Sequence, residues 1–197
     1  RGNWNLLEVA ERAGVRKFIY TSVFRGPNLL HLAIVKAHED FVSLLRASDL
    51  DYTVIRPNGF FSDMEEYLNM AERGRVYLIG DGSNRINPIH GADLARVCVD
   101  AVDQGLREIN VGGPEVLTHR EMARLALSAA GKPQRITSVP VWLMRAMVSV
   151  TGVFSRHRGD LMAFFAEAMT NDAVAPGTGS LTLAEHFRER TAASAGS

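Results

Sequence analysis

The spacing of apolar and polar positions divides the chain into strand-length and helix-length segments. "RKFIYTS" holds a short apolar run and reads as a buried strand over Lys17 to Thr21. "DYTVIRP" is a second buried strand, ended by Pro57. Between them, positions 29–47 repeat Leu30, Ile34, Ala37, Phe41 and Leu44 at helical spacing, which predicts a helix with that core face. Strand, helix, strand in this order predicts parallel strands and a right-handed crossover. Upstream, "NWNLLEVAERAG" places Leu6, Leu7, Val9, Ala10 and Ala13 on one side of a helix that Gly14 stops.

Downstream the alternation continues. Ser62-x-x-Glu65 and Thr118-x-x-Glu121 have the spacing of capping boxes, and each predicts a helix start. "VYLIG", "RINPI", "REINVGG" and "ITSVP" read as strands, and "ADLARVCVDAV" as a helix. "VWLMRAMVSV" and "DLMAFFAEAM" are apolar helices, "NDAVAPGTGS" a loop and "LTLAEHFRER" a last short helix. The tail, 188–197, which ends in the small-residue run "TAASAGS", is expected to be disordered. Strands alternating with helices predict an α/β fold: one domain over 1–187, the C-terminal part of a Rossmann-type doubly wound parallel sheet with a small, mostly helical substrate-side region.

Composition narrows the partners. Twenty-two basic and 22 acidic residues cancel, which argues against nucleic acid and an anionic membrane surface. A lone cysteine, Cys98, excludes an internal disulfide and suits a reducing, cytoplasmic compartment. Its apolar neighbours predict a buried, inert thiol. No apolar run approaches the roughly 18 residues of a membrane span. His31 and His38 lie seven apart on one helix, which is not chelating spacing, so no metal site is expected. His90, at a strand-to-helix junction, reads as a cap. Arg85, in the turn "GDGSNR", reads as solvated. Met144, Met147, Phe154, Met162, Phe164, Phe165 and Met169 read as core, a pocket wall, a lid or a dimer surface.

In open α/β sheets, ligands bind beyond the carboxyl ends of the strands. Two such ends, Thr21-Ser22 and Pro57-Asn58-Gly59-Phe60, belong to one βαβ unit and should lie side by side. Lys36 sits on the helix between them, with Leu32 four positions earlier. As a surface residue, Lys36 would have Glu39 and Asp40 for neighbours.

The segments "NLLEVAERAGVRKFIYTS", "KAHEDFVSLLRASDLDYTVIRPNGFF", "GDGSNRINPIHGADLARV" and "INVGGPEVLTHREMARLA" resemble, in this order, the atypical and extended short-chain dehydrogenase/reductases, especially the NmrA-like NAD(P)-binding group. The resemblance covers residues 5 to about 126. It implies NAD(P)H as cofactor and an oxidoreductase acting on a small organic or quinone-like acceptor, or else a non-catalytic NAD(P)-binding sensor. Carried over by position, it implies Lys36 on the nicotinamide ribose and Ser22 beside the acceptor as catalytic residues. Thr21, Ser22, Lys36, Pro57, Asn58, Gly59 and Phe60 would contact the cofactor. The family's tyrosine falls on Leu32, which has no proton to give. The family's glycine-rich phosphate loop is absent after any strand of this sequence. The resemblance thus implies that the glycine-rich half lies upstream of Arg1 and that residues 1–197 alone hold NAD(P)H weakly. A small-molecule substrate and a homo-oligomer are the expected partners.

Overall fold

A computed structural model describes residues 2–195; the side chains of 2, 3, 145, 148–150, 152–154, 156–158 and 195 lie outside that description, Phe154 among them. Strands β1 (Phe18–Thr21), β2 (Tyr52–Pro57) and β5 (Glu108–Val111) form a parallel sheet in the order β1-β2-β5. Phe18 pairs with Tyr52 and Thr21 with Ile55, so the βαβ unit has the expected parallel register. Side chains alternate across this sheet. Phe18, Tyr20 and Tyr52 pack with helices α1 (Gly2–Arg12) and α2 (Ala33–Ala47). Ile19, Ile55 and Ile109 pack on the other face with α4 (Gly91–Asp100). Helices therefore cover both faces, as the sequence pattern predicts.

A second parallel pair joins β3 (Val76–Ile79) to β7 (Ile136–Val139). The short β4 (Arg85–Ile86) pairs antiparallel with β6 (Leu117–Thr118). Helices α3 (Phe61–Glu72), α5 (His119–Ala129) and α8 (Leu183–Ala195) enclose a third core around Leu78, Met122, Leu127 and Phe187. Helices α6 (Val141–Phe154) and α7 (Arg156–Thr170) pack against each other as a hairpin.

Several elements differ locally from their expected form. Helix α2 starts at Ala33, because Gly26–Asn28 form a 3₁₀ turn entered through Arg25 at φ 56°. Its buried face is Val35, Glu39, Phe41, Val42 and Leu45, whereas Leu30 is half exposed. The face is rotated from the apolar stripe because Glu39 must point inward. Among the described side chains of α1, Leu7 and Ala10 alone are buried; Leu6 and Val9 face outward. Helix α3 begins at Phe61, not after Ser62: Phe61 N donates to Ile89 O (3.1 Å), and the Asp63 carboxylate accepts from Phe60 N (3.4 Å). The Thr118–Glu121 box forms as read, with Thr118 N donating to Glu121 Oε2 at 2.7 Å and Glu121 N to Thr118 Oγ1 at 3.1 Å. The tail expected to be disordered from 188 is helical through Ala195, because Leu183 and Phe187 anchor α8 in the third core.

Truncating the fully buried Phe187 to alanine should cost about 3–5 kcal/mol in urea unfolding. His119 is also buried, and its Nδ1 is 2.8 Å from the Tyr67 hydroxyl. Burial lowers its pKa, against a weaker pull from the Ala168 backbone. Between the depressed folded value and about 6.5, the unfolded chain binds more protons, so stability rises with pH. His119→Gln should flatten that part of the curve, measured as urea midpoints between about pH 5.5 and 7.5. His38, also lowered by burial, should leave a residual slope.

Candidate functional site

The carboxyl ends of β1 and β2 lie side by side, locked by Ser22 N donating to Ile55 O (2.8 Å) and Phe24 N to Pro57 O (3.1 Å). Above them opens a cavity of about 380 Å³. Its floor is Ser22 and Val23 on one side and Pro57 to Phe60 on the other. Leu29 and Leu32 close one flank, Asp63 and Met64 of α3 another. Helix α7 forms the roof through Phe164, Glu167 and Ala168, which recur at helical spacing, with Asn171 just beyond its end. The size suits a small molecule, whose sites run from about 300 to 1,000 Å³.

Beneath the floor lies a buried ion pair. Arg56 projects from β2 toward α2, and its Nη1 and Nη2 donate to Glu39 Oε1 and Oε2 at 2.5 and 3.0 Å. Nη1 also donates to the Val23 carbonyl at 3.1 Å, and Nε lies 2.9 Å from Glu108 Oε1. The Ser22 hydroxyl donates to Glu39 Oε1 (3.1 Å) and accepts from Arg56 (3.3 Å). Burial alone would raise the Glu39 carboxyl, but the hydrogen bonds and charge of Arg56, with Ser22, hold it below its ordinary value. The same pair explains Gly26: a Cβ there would collide with Glu39 Oε1. Arg56 thus ties the loop that enters the cavity to the sheet and to α2.

The residues singled out from sequence separate into two groups. Ser22, Pro57, Asn58, Gly59 and Phe60 line the cavity together, and so does Leu32. Thr21 does not; it stays in β1, with its hydroxyl hydrogen-bonded to the Cys98 thiol. Nor does Lys36 line the cavity: its ammonium is exposed and donates to Asp40 at 2.7 and 2.8 Å. Of the two acids expected near Lys36, only Asp40 pairs with it; Glu39 is buried under Arg56. Asn58 also has a structural role. Its amide donates to Asn87 Oδ1 (2.7 Å) and to the Ala173 carbonyl, which fixes the segment after α7.

His90 caps α4, its Nδ1 accepting from Ala92 N at 3.1 Å. Arg85 pairs with Asp172 at 3.3 Å in an exposed position. Cys98, read as buried, is half-buried, and that burial raises its thiol against a weaker pull from the Thr21 hydroxyl. Of the Met and Phe cluster, Phe164 and Phe165 line this cavity. No group of three or more metal-ligating side chains exists among the described residues. No helix there is long and apolar enough to cross a membrane.

Glu39, Arg56, Glu167 and Ala168 were not legible as site residues, whereas a pocket wall was one reading of Phe164 and Phe165. One signal existed: an arginine inside "TVIRP", a strand too apolar to leave a charge unpaired. Its partner, 17 positions away, carried no mark of its own.

Comparison with known proteins gives the class. Residues 1–105, more than half of the 197, match the family model described as NAD(P)H-binding. The chain belongs to this NAD(P)H-binding family, in agreement with the resemblance carried by its motifs. It is 27% identical over 158 residues to the photosystem II assembly factor Ycf39 of Guillardia theta, covering 78% of this chain and 50% of that protein. It is 26% identical over 153 residues to an NAD(P)H azoreductase of Xenophilus azovorans, covering 75% and 52%. An Escherichia coli NADPH-dependent quinone oxidoreductase, solved with NADPH, shares the fold at TM-score 0.72 and 18% identity, over 95% of this chain and 70% of that one. The chain spans about half the length of the curated relatives it matches.

The cavity residues fit the nicotinamide end of such a cofactor. Gly59, at φ 79°, brings bare backbone to the floor, and Leu32, Phe60 and Ile86 offer apolar surface to a flat ring. The pyrophosphate end finds no glycine-rich strand–turn–helix in residues 1–197.

The ion pair can be tested directly. Glu39→Ala should destabilise the fold by about 3–5 kcal/mol in urea unfolding, because it leaves Arg56 buried without its main partner. Glu39→Leu combined with Arg56→Met should recover most of that loss. In the wild type, the pair's contribution is complete above the ordinary carboxylate range and is lost as pH falls through the depressed Glu39 value.

Proposed function

We propose that this chain forms the nicotinamide-and-acceptor end of an NAD(P)H-dependent oxidoreductase acting on a small organic or quinone-like acceptor. The observation that carries the reading is the largely apolar, 380 Å³ cavity over the ends of two adjacent parallel strands. When bound, NAD(P)H supplies a hydride. The chain's own residues bind, orient and exclude water. Leu32 and Phe60 press on the ring and the acceptor. The backbone at Gly59 sets how close the ring approaches. Lys36, one helical turn beyond Leu32, reaches the ribose after releasing Asp40.

The proton that completes acceptor reduction comes from water. Leu32 has none to give, and the Ser22 hydroxyl proton is engaged by Glu39. This favours acceptors such as quinones, whose reduced oxygens take a proton from solvent without a positioned acid. It works against simple ketones, where such an acid is worth about 10²–10⁴ in rate. The names of the azoreductase and quinone oxidoreductase relatives support this choice. Leu32 also supports a second reading, a non-catalytic NAD(P)-binding sensor.

The test uses the longest natural form of the protein. Lys36→Ala should weaken NADPH binding about tenfold, the loss of one charge-assisted hydrogen bond. Asp40→Asn should leave it equal or tighter. Unchanged binding in Lys36→Ala would remove the lysine from the site. Leu32→Tyr separates the two readings: a gain of ketone reduction marks a competent hydride site, whereas NADPH binding without turnover of any acceptor supports the sensor. Residues 1–197 alone should bind NADPH weakly in a fluorescence titration.

A further inference from the structure

Helix α7 has two inner faces. Phe164, Glu167 and Ala168, with Asn171 just past the helix end, look into the cavity already described. Met162, Ala166 and Met169 look into a second cavity of about 260 Å³, completed by Met70, Leu78, Ile79, Val139 and Met144. Phe165 stands on the seam between the two stripes and lines both cavities. The second cavity is lined by hydrocarbon and thioether side chains, with the Tyr77 ring at its edge. Of the residues lining the first cavity it shares Phe165, and it lies against β3 and the end of β7, beside the α6–α7 hairpin.

Neither feature is required for a small acceptor. A ring-sized acceptor fits in the first cavity. A void walled by three methionines of the hairpin and a fourth from α3 is not a well-filled core, which would be close-packed. Methionine is unbranched and polarizable, and it adapts to chains of variable shape. The seam residue is an aromatic side chain that can turn about two torsions, not a backbone wall.

We infer that the second cavity is a tail site: the acceptor is a head group carrying a flexible apolar chain, with the head over the strand ends and the chain running past Phe165 between α7 and the β3–β7 pair. This inference rests on the acceptor cavity proposed above and specifies which acceptors it takes. Chains of several carbons fit the volume, since a molecule of water takes up about 30 Å³ in the liquid. Each buried methylene should add to affinity, until the cavity is filled.

The experiment compares two quinones with the same ring, one without a tail and one with a ten-carbon alkyl tail. Binding to the longest natural form of the protein is followed by calorimetry, and NADPH-dependent reduction is followed separately. The tailed quinone should bind at least tenfold more tightly. Met162→Trp and the milder Ala166→Leu, which fill the second cavity, should bring its affinity down to that of the tailless one. Tailless binding should stay unchanged and serves as the check on folding. Equal affinity of the two quinones in the wild type overturns the tail site without reference to any variant. A tail preference that survives both filling variants, with tailless binding intact, overturns it as well. A tail preference without NADPH oxidation keeps the tail site and refutes the oxidoreductase reading. Turnover of both quinones with equal affinity does the reverse.

Discussion

The buried pair of Arg56 and Glu39 is the contact on which the cavity depends. A guanidinium inside a sheet face costs several kcal/mol in lost hydration unless a carboxylate and further acceptors meet it. Here Glu39 meets it with both oxygens, and Val23 O and Glu108 complete the shell. That requirement sets the rotation of α2, the position of the β1 exit loop and the need for glycine at 26. The same rotation brings Leu32 to the cavity and leaves Lys36 on the outer side, with Asp40. The geometry over the strand ends is thus a consequence of how one buried charge is neutralised.

The second determinant is the segment after α7. Asn58 and Asn87 form a small buried amide network, in which Asn87 donates to the carbonyls of Gly113 and Ala175 and accepts from Ala175 N. Asp93 extends the same principle, accepting from the backbone of Ser180 and Leu181. These buried groups hold a long irregular segment against the sheet, and that segment ends the helix that roofs the cavity. A residue that looked like a cofactor contact in sequence is therefore already engaged, since Asn58 supports the roof before it can meet a ligand. Such double use suits a sheet rim, where unpaired backbone would otherwise be buried.

Short apolar runs, glycine stops and one capping box were enough to place nearly all the elements and the parallel register of β1 and β2, because each depends on side-chain periodicity or on a few residues' own backbone chemistry. The adjacency of Ser22 with Pro57 to Phe60 was likewise legible, since consecutive strands are neighbours in roughly two-thirds of cases. The phase of α2 was not. Five apolar positions at helical spacing suggested one face, and a single inward glutamate chose another. The capping box at Ser62 failed for a similar reason: a backbone pairing between Phe60 and Ile89 started the helix earlier than its own side chains would have.

The sequence by itself determined an α/β chain of the NAD(P)H-binding family and pointed to a candidate site at two neighbouring strand ends. Tertiary structure alone decided that Glu39 is buried and Lys36 is not, that Thr21 backs onto Cys98, and that α7 separates two cavities with Phe165 on the seam. The physical reason is range. Periodicity and turn chemistry act within a few residues, whereas the partner of a buried charge and the walls of a cavity are chosen among residues 17 to more than 100 positions apart.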